Sequence, residues 1–433
     1  MINTAENALN LALKNAEYAE VYMEKEKSID VDIQKNDINF AKEEFTYGFS
    51  IRVILEGKMG FSYTTNVDKI DETVGRAVFN AKSNVADKYF DFAPESKYNQ
   101  VKGVYDKKNE SMDIDGSIEF AKTMIDTVEE EKCEPTSGGF SAGKSESLIL
   151  NSNGVNCKEI GTSFSGFIAV NAESNGEIST AYEGDSSRSF DINPEWIADN
   201  ACQIAKNSLN GKPVETKDMD VLLDYRAASG LLGTFVSAVN ADNVQRGRSI
   251  FANEMGNEVI SPSLSMYDDG TLEGGLASAV SDGEGTSTQR TSVIQNGILK
   301  SFIYDIYTSK KGDTESTGNG MRSSFADMPA VSLSNFILEF DDVLEISDIK
   351  KGILVTDVLG AHTANPISGD FSVEANNAFK IENGEIVDPV KKAMLSGNIF
   401  NVMKNASGGS KEIRQLGPFV IPRILAPGLR VVG

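Results

Sequence analysis

The sequence predicts an α+β protein: an N-terminal antiparallel sheet with helices, followed by a C-terminal β-rich, partly barrel-like domain. Three observations carry this prediction. In the first half, alternating apolar and polar runs are joined by turn signals and separated by amphipathic helical stretches. Gly211-Lys212-Pro213 then breaks the pattern and divides the chain into 1–213 and 214–433. Beyond it, short apolar runs are punctuated by Asp-Asp-Gly at 268–270, Asp-Gly-Glu-Gly at 282–285, and Asn-Gly at 296–297, 319–320 and 383–384. Asn-Gly between apolar runs favours tight hairpins, because both residues tolerate positive φ.

Taken in order, Asn3 is a candidate N-cap with Glu6 three residues on, and Leu9, Ala12, Leu13 and Ala16 follow at helical spacing. Val21–Glu24 begins a strand in which Ile29, Val31 and Ile33 alternate with charged residues, as expected of one wet face. Tyr47, Phe49, Ile51, Val53 and Leu55 alternate up to a Glu56-Gly57 turn, and Phe61 and Tyr63 return. Val67, Ile70, Val74, Ala77, Val78 and Ala81 mark an amphipathic helix, and Asp91–Asn109 reads as a loop. Asp115 can cap a helix with Ile118, Ala121, Ile125 and Val128 inside. Residues 137–185 read as short strands broken by Ser, Gly and Asn. Asn193-Pro194 starts another helix, with Pro at its first position. In the second half, Val221-Leu222-Leu223-Asp224 is an apolar strand ending in a turn residue, and it leads into a small-residue helix over Ala227–Ser237.

A chain of 433 residues can hold two or three domains with proper cores. Its net charge of −23, from 41 basic and 64 acidic residues, repels phosphate backbones and disfavours nucleic acid as a ligand. No basic region followed by an apolar core opens the chain, and no apolar run is long enough to span a bilayer. Cys133, Cys157 and Cys202 are odd in number and far apart, which suits a reducing cytoplasm rather than a disulfide framework.

Several motifs could carry chemistry. Gly138–Ser145 matches both the phosphate-binding G-x-x-x-x-G-K-S pattern and, at Gly139-x-Ser141-x-Gly143, a nucleophile elbow. Both need a buried strand before and a helix after. Cys133–Ser137 and the Asn151–Gly154 turn supply neither, so a strand and turn with no nucleotide is expected. His362 is the only histidine and cannot alone build a zinc site. The Asp clusters at 268–269 and 282–284 lack calcium-loop spacing and read as turn chemistry. Thr317-Gly318-Asn319-Gly320-Met321-Arg322 is the most distinctive polar stretch. Glycine allows close backbone approach and arginine can grip a carboxylate, so Thr317, Gly318, Asn319 and Arg322 are candidate peptide-binding residues; a tight turn with a surface arginine is the alternative.

Over essentially its whole length, and most strongly from Val221 onward, the chain resembles the TldD/PmbA family of peptidase subunits. The resemblance rests on the order and spacing of Gly247-Arg248-Ser249-Ile250-Phe251, Tyr267–Gly270, Asp282–Thr286, Asn296–Leu299, Ser316–Arg322, Ser368–Ser372, Ile381–Gly384 and Leu395–Asn398. Active members carry H-E-x-x-x-H on the helix that precedes the first of these segments, and a cysteine near the C-terminus. Aligned back from Gly247, those three places fall on Leu232, Gly233 and Ser237. No cysteine follows Cys202, and Gly408-Gly409-Ser410-Lys411-Glu412 occupies the corresponding C-terminal region. The resemblance therefore implies the metal-less TldE (PmbA) type: no catalytic residue and no metal in this chain, zinc in a TldD-type partner, and a cytoplasmic heteromer that processes or degrades unfolded peptides. Two readings from other classes stand beside it: a free-standing peptide-binding homodimer, and a self-sufficient hydrolase or NTPase using Gly138–Ser145.

Overall fold

The computed structural model describes residues 1–433, apart from the side chains of 110 and 111. The N-terminal half is built on one antiparallel sheet of six strands, β1 (Tyr18–Gln34), β2 (Asp37–Leu55), β3 (Lys58–Thr64), β4 (Glu134–Asn151), β5 (Asn156–Ser174) and β6 (Glu177–Ser187), in the order β3-β2-β1-β4-β5-β6. Glu56 and Gly57 both take positive φ between β2 and β3, the tight turn their sequence predicts. Residues 137–185 depart from the expectation of short strands. β4 and β5 run 18 and 19 residues, because each is paired on both sides and its Ser, Gly and Asn backbone groups find partners in the ladder.

Four helices, α1 (Ile2–Ala12), α2 (Ile70–Ser83), α3 (Ile114–Glu130) and α4 (Pro194–Asn207), cover one face of this sheet. Ala19, Val21 and Met23 pack with α1 and α2, while Val31 and Ile33 pack with α3 and α4. These five β1 residues share one parity, hence one face. Asn193 caps α4, accepting from the Trp196 N–H at 2.8 Å, with Pro194 first in the helix. Two expected caps are displaced: the N-cap position of α1 is Met1, with Asn3 inside the helix, and α3 is capped by Asp113, which accepts from the Gly116 N–H at 2.9 Å, with Asp115 in its first turn.

The C-terminal half centres on a closed five-stranded barrel. Its strands are β7 (Lys217–Leu223), β11 (Lys351–Leu359), β12 (Asp370–Glu382), β14 (Ala393–Asn398) and β16 (Phe419–Val432). β7 pairs in parallel with β11, the remaining neighbours are antiparallel, and β16 returns to β7 at Ala426–Val221. Closure removes the sheet edge. The first part of β16 leaves the barrel to pair with β10 (Phe336–Phe340), which continues into β8 (Leu264–Asp269) and β9 (Arg290–Gln295). Two further strands, β13 (Glu385–Val390) and β15 (Gly408–Leu416), hang on β12 and β16. Helix α5 (Tyr225–Phe235) follows β7 directly and shares one apolar core with the barrel through Ala227, Leu231, Leu232 and Phe235. Val221 and Leu223 face that core while Leu222 faces a second apolar cluster, so β7 reads as a continuous apolar run. Asn296-Gly297 and Asn383-Gly384 turn hairpins with positive φ, whereas Asn319-Gly320 does not: Gly320 lies in a short strand and Asn319 is buried.

Candidate functional site

Helix α5 is the place where the family resemblance puts the metal. Asp224 caps it, accepting from the Tyr225 N–H at 2.8 Å. Leu232 is 0 % exposed in the barrel core. A side chain built at Gly233 would meet nothing within 4 Å, so this position faces open space. Ser237 lies past the helix end, and its hydroxyl is within hydrogen-bond distance of the Thr234 carbonyl (2.8 Å) and the Pro366 carbonyl (2.7 Å), which share its one proton. The C-terminal region Gly408–Glu412 offers no thiol. A Cβ on Gly408 would lie 2.7 Å from Leu344 and one on Gly409 2.6 Å from Phe340, so neither has room for a cysteine without repacking. Among the described residues no three His, Cys, Asp or Glu side chains gather as a metal's donor set. These residues do not fit a zinc ion.

A cleft of about 870 Å³ opens beside the first turn of α5, between α4 and β6 on one side and β13 and β15 on the other. Two carboxylates, Glu183 and Asp224, answer its three arginines. Buried Glu183 of β6 accepts from Arg226 and, at 3.2 Å, from Arg414. Arg423 donates to Asp224 at 3.0 Å. The guanidinium planes rest on aromatic faces: Arg226 on Tyr182 at 4.0 Å, Arg414 on Trp196 at 5.1 Å, and Arg423 on Tyr225 at 5.0 Å. Burial raises the carboxyls of Asp185 and Asp357 nearby.

The polar stretch Thr317–Arg322 lies inside the protein. The Asn319 amide donates to Asp268 (2.7 Å) and the Ser332 carbonyl (2.9 Å) and accepts from the Thr317 hydroxyl (2.7 Å). Burial pushes Asp268 up to about 6, against the pull of bonds from Asn319 and Ser334. Gly318 supplies a φ of 76°. The Arg322 side chain, 2 % exposed, donates to Glu20 (2.5 Å) and to the carbonyls of Gly283 (2.6 Å) and Asp327 (3.0 Å). Sequence reasoning missed the network to which it belongs. Arg52 grips Glu20 with two bonds of 2.7 and 2.8 Å and reaches Glu284 at 3.2 Å. Glu284 also accepts from the Ile306 N–H at 2.8 Å. Burial lowers the Arg52 pKa on its own, but Glu20 and Glu284 more than offset it and hold it above its usual value. Asp282, beside Glu284, is pushed up to about 8 by burial and by that neighbour's charge. Glu20 and Arg52 sit on the sheet face opposite the helices, at positions that strand alternation marks as wet; the C-terminal half covers them.

The same seam holds Glu159 of β5, which accepts from the Val280 N–H at 3.0 Å. Burial pushes its pKa up to about 7, with the Val280 bond and Arg188 pulling it down. The folded state therefore holds this proton where the unfolded chain has released it. Stability is expected to fall as pH rises from about 4.5 to 7, by at most about 3 kcal/mol. Urea unfolding across that range should show a shallower fall in Glu159→Gln than in the wild type; identical slopes would remove Glu159 from the explanation.

Two other sequence candidates have ordinary roles. Gly138–Ser145 lies wholly within β4, paired to β1 and β5 along its length, so its backbone N–H groups form no phosphate cradle. His362 lies exposed in the short helical turn Ala361–Thr363.

Comparison with known proteins agrees with this fold. Family profiles match residues 216–433 (PmbA/TldA metallopeptidase C-terminal domain), 19–81 (domain 1) and 107–209 (central domain). An uncharacterised protein of Methanocaldococcus jannaschii is 35 % identical over 98 % of both chains. A metalloprotease TldD homolog of Haemophilus influenzae is 26 % identical over 91 % of this chain and 85 % of that one. The crystal structure of TldE from Thermococcus kodakarensis superposes with a TM-score of 0.93 over 99 % of this chain and 100 % of that one, at 24 % identity, and so shares the fold. No helix among the described residues is long and apolar enough to cross a membrane. With three successive family domains matched along its length and a full-length relative above 30 % identity, the chain belongs to the PmbA/TldD metallopeptidase family.

Proposed function

We propose that this chain is the metal-free subunit of a two-component, cytoplasmic zinc metallopeptidase that processes unfolded peptides, and that a TldD-type partner supplies the zinc. One observation carries the proposal. On α5 and just past its end, a core leucine, a bare glycine and a serine tied to the backbone stand where the resemblance puts a histidine, a glutamate and a second histidine. A catalytic zinc needs three protein ligands and an open position for water, and the protein must lower that water's pKa toward neutrality. This chain has no residues for that work along the family's route. Its likeness both to a TldD homolog and to a TldE supports a paired arrangement.

The test is direct. Zinc content and cleavage of casein are measured for the purified chain, for a TldD-type subunit from the same organism, and for the two mixed. The expected result is no stoichiometric zinc and no cleavage by this chain alone, and chelator-sensitive cleavage by the mixture. Zinc-dependent cleavage by this chain alone would overturn the proposal.

A further inference from the structure

A second cavity, of about 290 Å³, lies between the two halves of the chain and shares no residue with the cleft beside α5. The N-terminal half contributes Arg52, Met59 and Phe90 to it, and the C-terminal half Glu284, Asp305 and Tyr307. A concave space at the junction of two packed units, near the lower size limit of ligand pockets, suits a small molecule.

Four carboxylates line this cavity, and three of them have a basic partner. Asp91 pairs with Lys310 at 2.8 Å, Asp242 with Arg246 at 2.7 Å, and Glu284 with Arg52 at 3.2 Å. Asp305 has no basic partner among the described residues, although it is only 7 % exposed. Its Oδ1 accepts from the N–H and the hydroxyl of Thr308, both at 2.7 Å, and so caps the short helix Ile306–Lys311. Neither of those bonds uses Oδ2. Arg52 is already committed, holding Glu20 with two bonds and Glu284 with a third. The charge of Asp305 is felt across the cavity: burial raises the Glu284 carboxyl, Arg52 pulls it down, and Asp305 raises it again. A carboxylate buried to this degree is normally paired, and a cation entering the cavity would be its partner.

The walls select the kind of cation. The rings of Phe90 and Tyr307 stand side by side with centroids 5.5 Å apart, and Met59 and Met328 lie on the same lining. Aromatic faces attract an ammonium group, and methionine adapts to an apolar body. A hard metal ion needs several oxygen ligands, and no three acidic side chains gather as such a set among the described residues.

We propose that this cavity binds a small primary amine with an apolar body, the ammonium donating to Asp305 Oδ2 and the body lying against Phe90, Tyr307 and Met59. The inference goes beyond the subunit reading and does not rest on it, since neither the partner nor zinc takes part.

The full chain is titrated at pH 7 by isothermal calorimetry with 2-phenylethylamine and, separately, with its neutral counterpart 2-phenylethanol. The amine is expected to bind saturably, and about tenfold or more tightly than the alcohol. Asp305→Asn keeps an acceptor for the helix cap and removes the charge. Met328→Lys brings a second ammonium to the rim, where Met328 is 43 % exposed. Each variant should weaken amine binding by about tenfold or more. Asp126→Asn, exposed on α3, should bind as the wild type does. Circular dichroism verifies that each variant is folded, and the comparison of amine with alcohol, made on the wild type alone, decides the matter if Asp305→Asn does not fold. Three results would each overturn the proposal: no binding of the amine, equal binding of amine and alcohol, or equal binding of the amine by the wild type and a folded Asp305→Asn. Failure of the subunit reading would appear instead as zinc and cleavage in this chain alone, with the amine titration unaffected.

Discussion

Replacing Arg52 with alanine is expected to lower stability by about 3–5 kcal/mol, one of the largest losses any single truncation in this protein should cause. Arg52 places three donor bonds on two carboxylates, and all three side chains are 4 % exposed or less. Without it, Glu284 keeps only the Ile306 N–H, and Glu20 only Arg322. Each is then a buried charge with too few partners, and the desolvation that Arg52 offset is left uncompensated. The damage falls on the seam, because Glu20 and Arg52 belong to the N-terminal sheet while Glu284 and Arg322 come from the C-terminal half. Arg76 is the control. Its pair with Glu72 spans one turn of α2 with both side chains about half exposed, and such pairs contribute about 0.3–0.5 kcal/mol. Urea midpoints for Arg52→Ala and Arg76→Ala that shift equally would show that the buried network adds nothing.

Rebuilding the family's metal motif is expected to fail, and to fail through stability. Leu232→His puts an imidazole into the barrel core among Leu231, Phe235 and their neighbours, and costs about 2–5 kcal/mol. Combining Leu232→His, Gly233→Glu, Ser237→His and Gly409→Cys should give neither stoichiometric zinc nor chelator-sensitive cleavage of casein. At Gly409 a new Cβ starts 2.6 Å from the Phe340 ring, so the fourth substitution also strains the packing. Thermal unfolding of Leu232→His and metal analysis of the quadruple variant test the two halves of this expectation. A folded quadruple variant that binds one zinc and cleaves peptide would mean that the scaffold had kept the site's geometry.

Much of the N-terminal half is legible because its signals are local. Asn193-Pro194 caps α4 whatever surrounds it, and Glu56-Gly57 turns β2 into β3 by its own φ preferences. Strand lengths were harder to read. The Ser, Gly and Asn of β4 and β5 look like turn residues one at a time, yet a strand paired on both sides satisfies their backbone groups for its whole length. That is why an octapeptide resembling a phosphate loop is a piece of central strand. The seam was invisible for a related reason. Alternation along β1 correctly separates Val21 and Met23 from Glu20 and Glu24, but it cannot tell whether the second face meets water or another part of the chain.

The amino-acid sequence by itself determined which side chains stand at Leu232, Gly233 and Ser237. Side-chain chemistry is covalently fixed, and no folding supplies an imidazole or a thiolate where the chain has leucine, glycine and serine. The role of Thr317–Arg322 was decided only by the tertiary structure. A glycine-rich stretch ending in arginine serves equally as a recognition loop or as an internal brace. Which it becomes depends on whether a carboxylate waits where the guanidinium points. Here one does: Glu20, 302 residues earlier, brought to Arg322 by the docking of two halves whose contact no local pattern encodes.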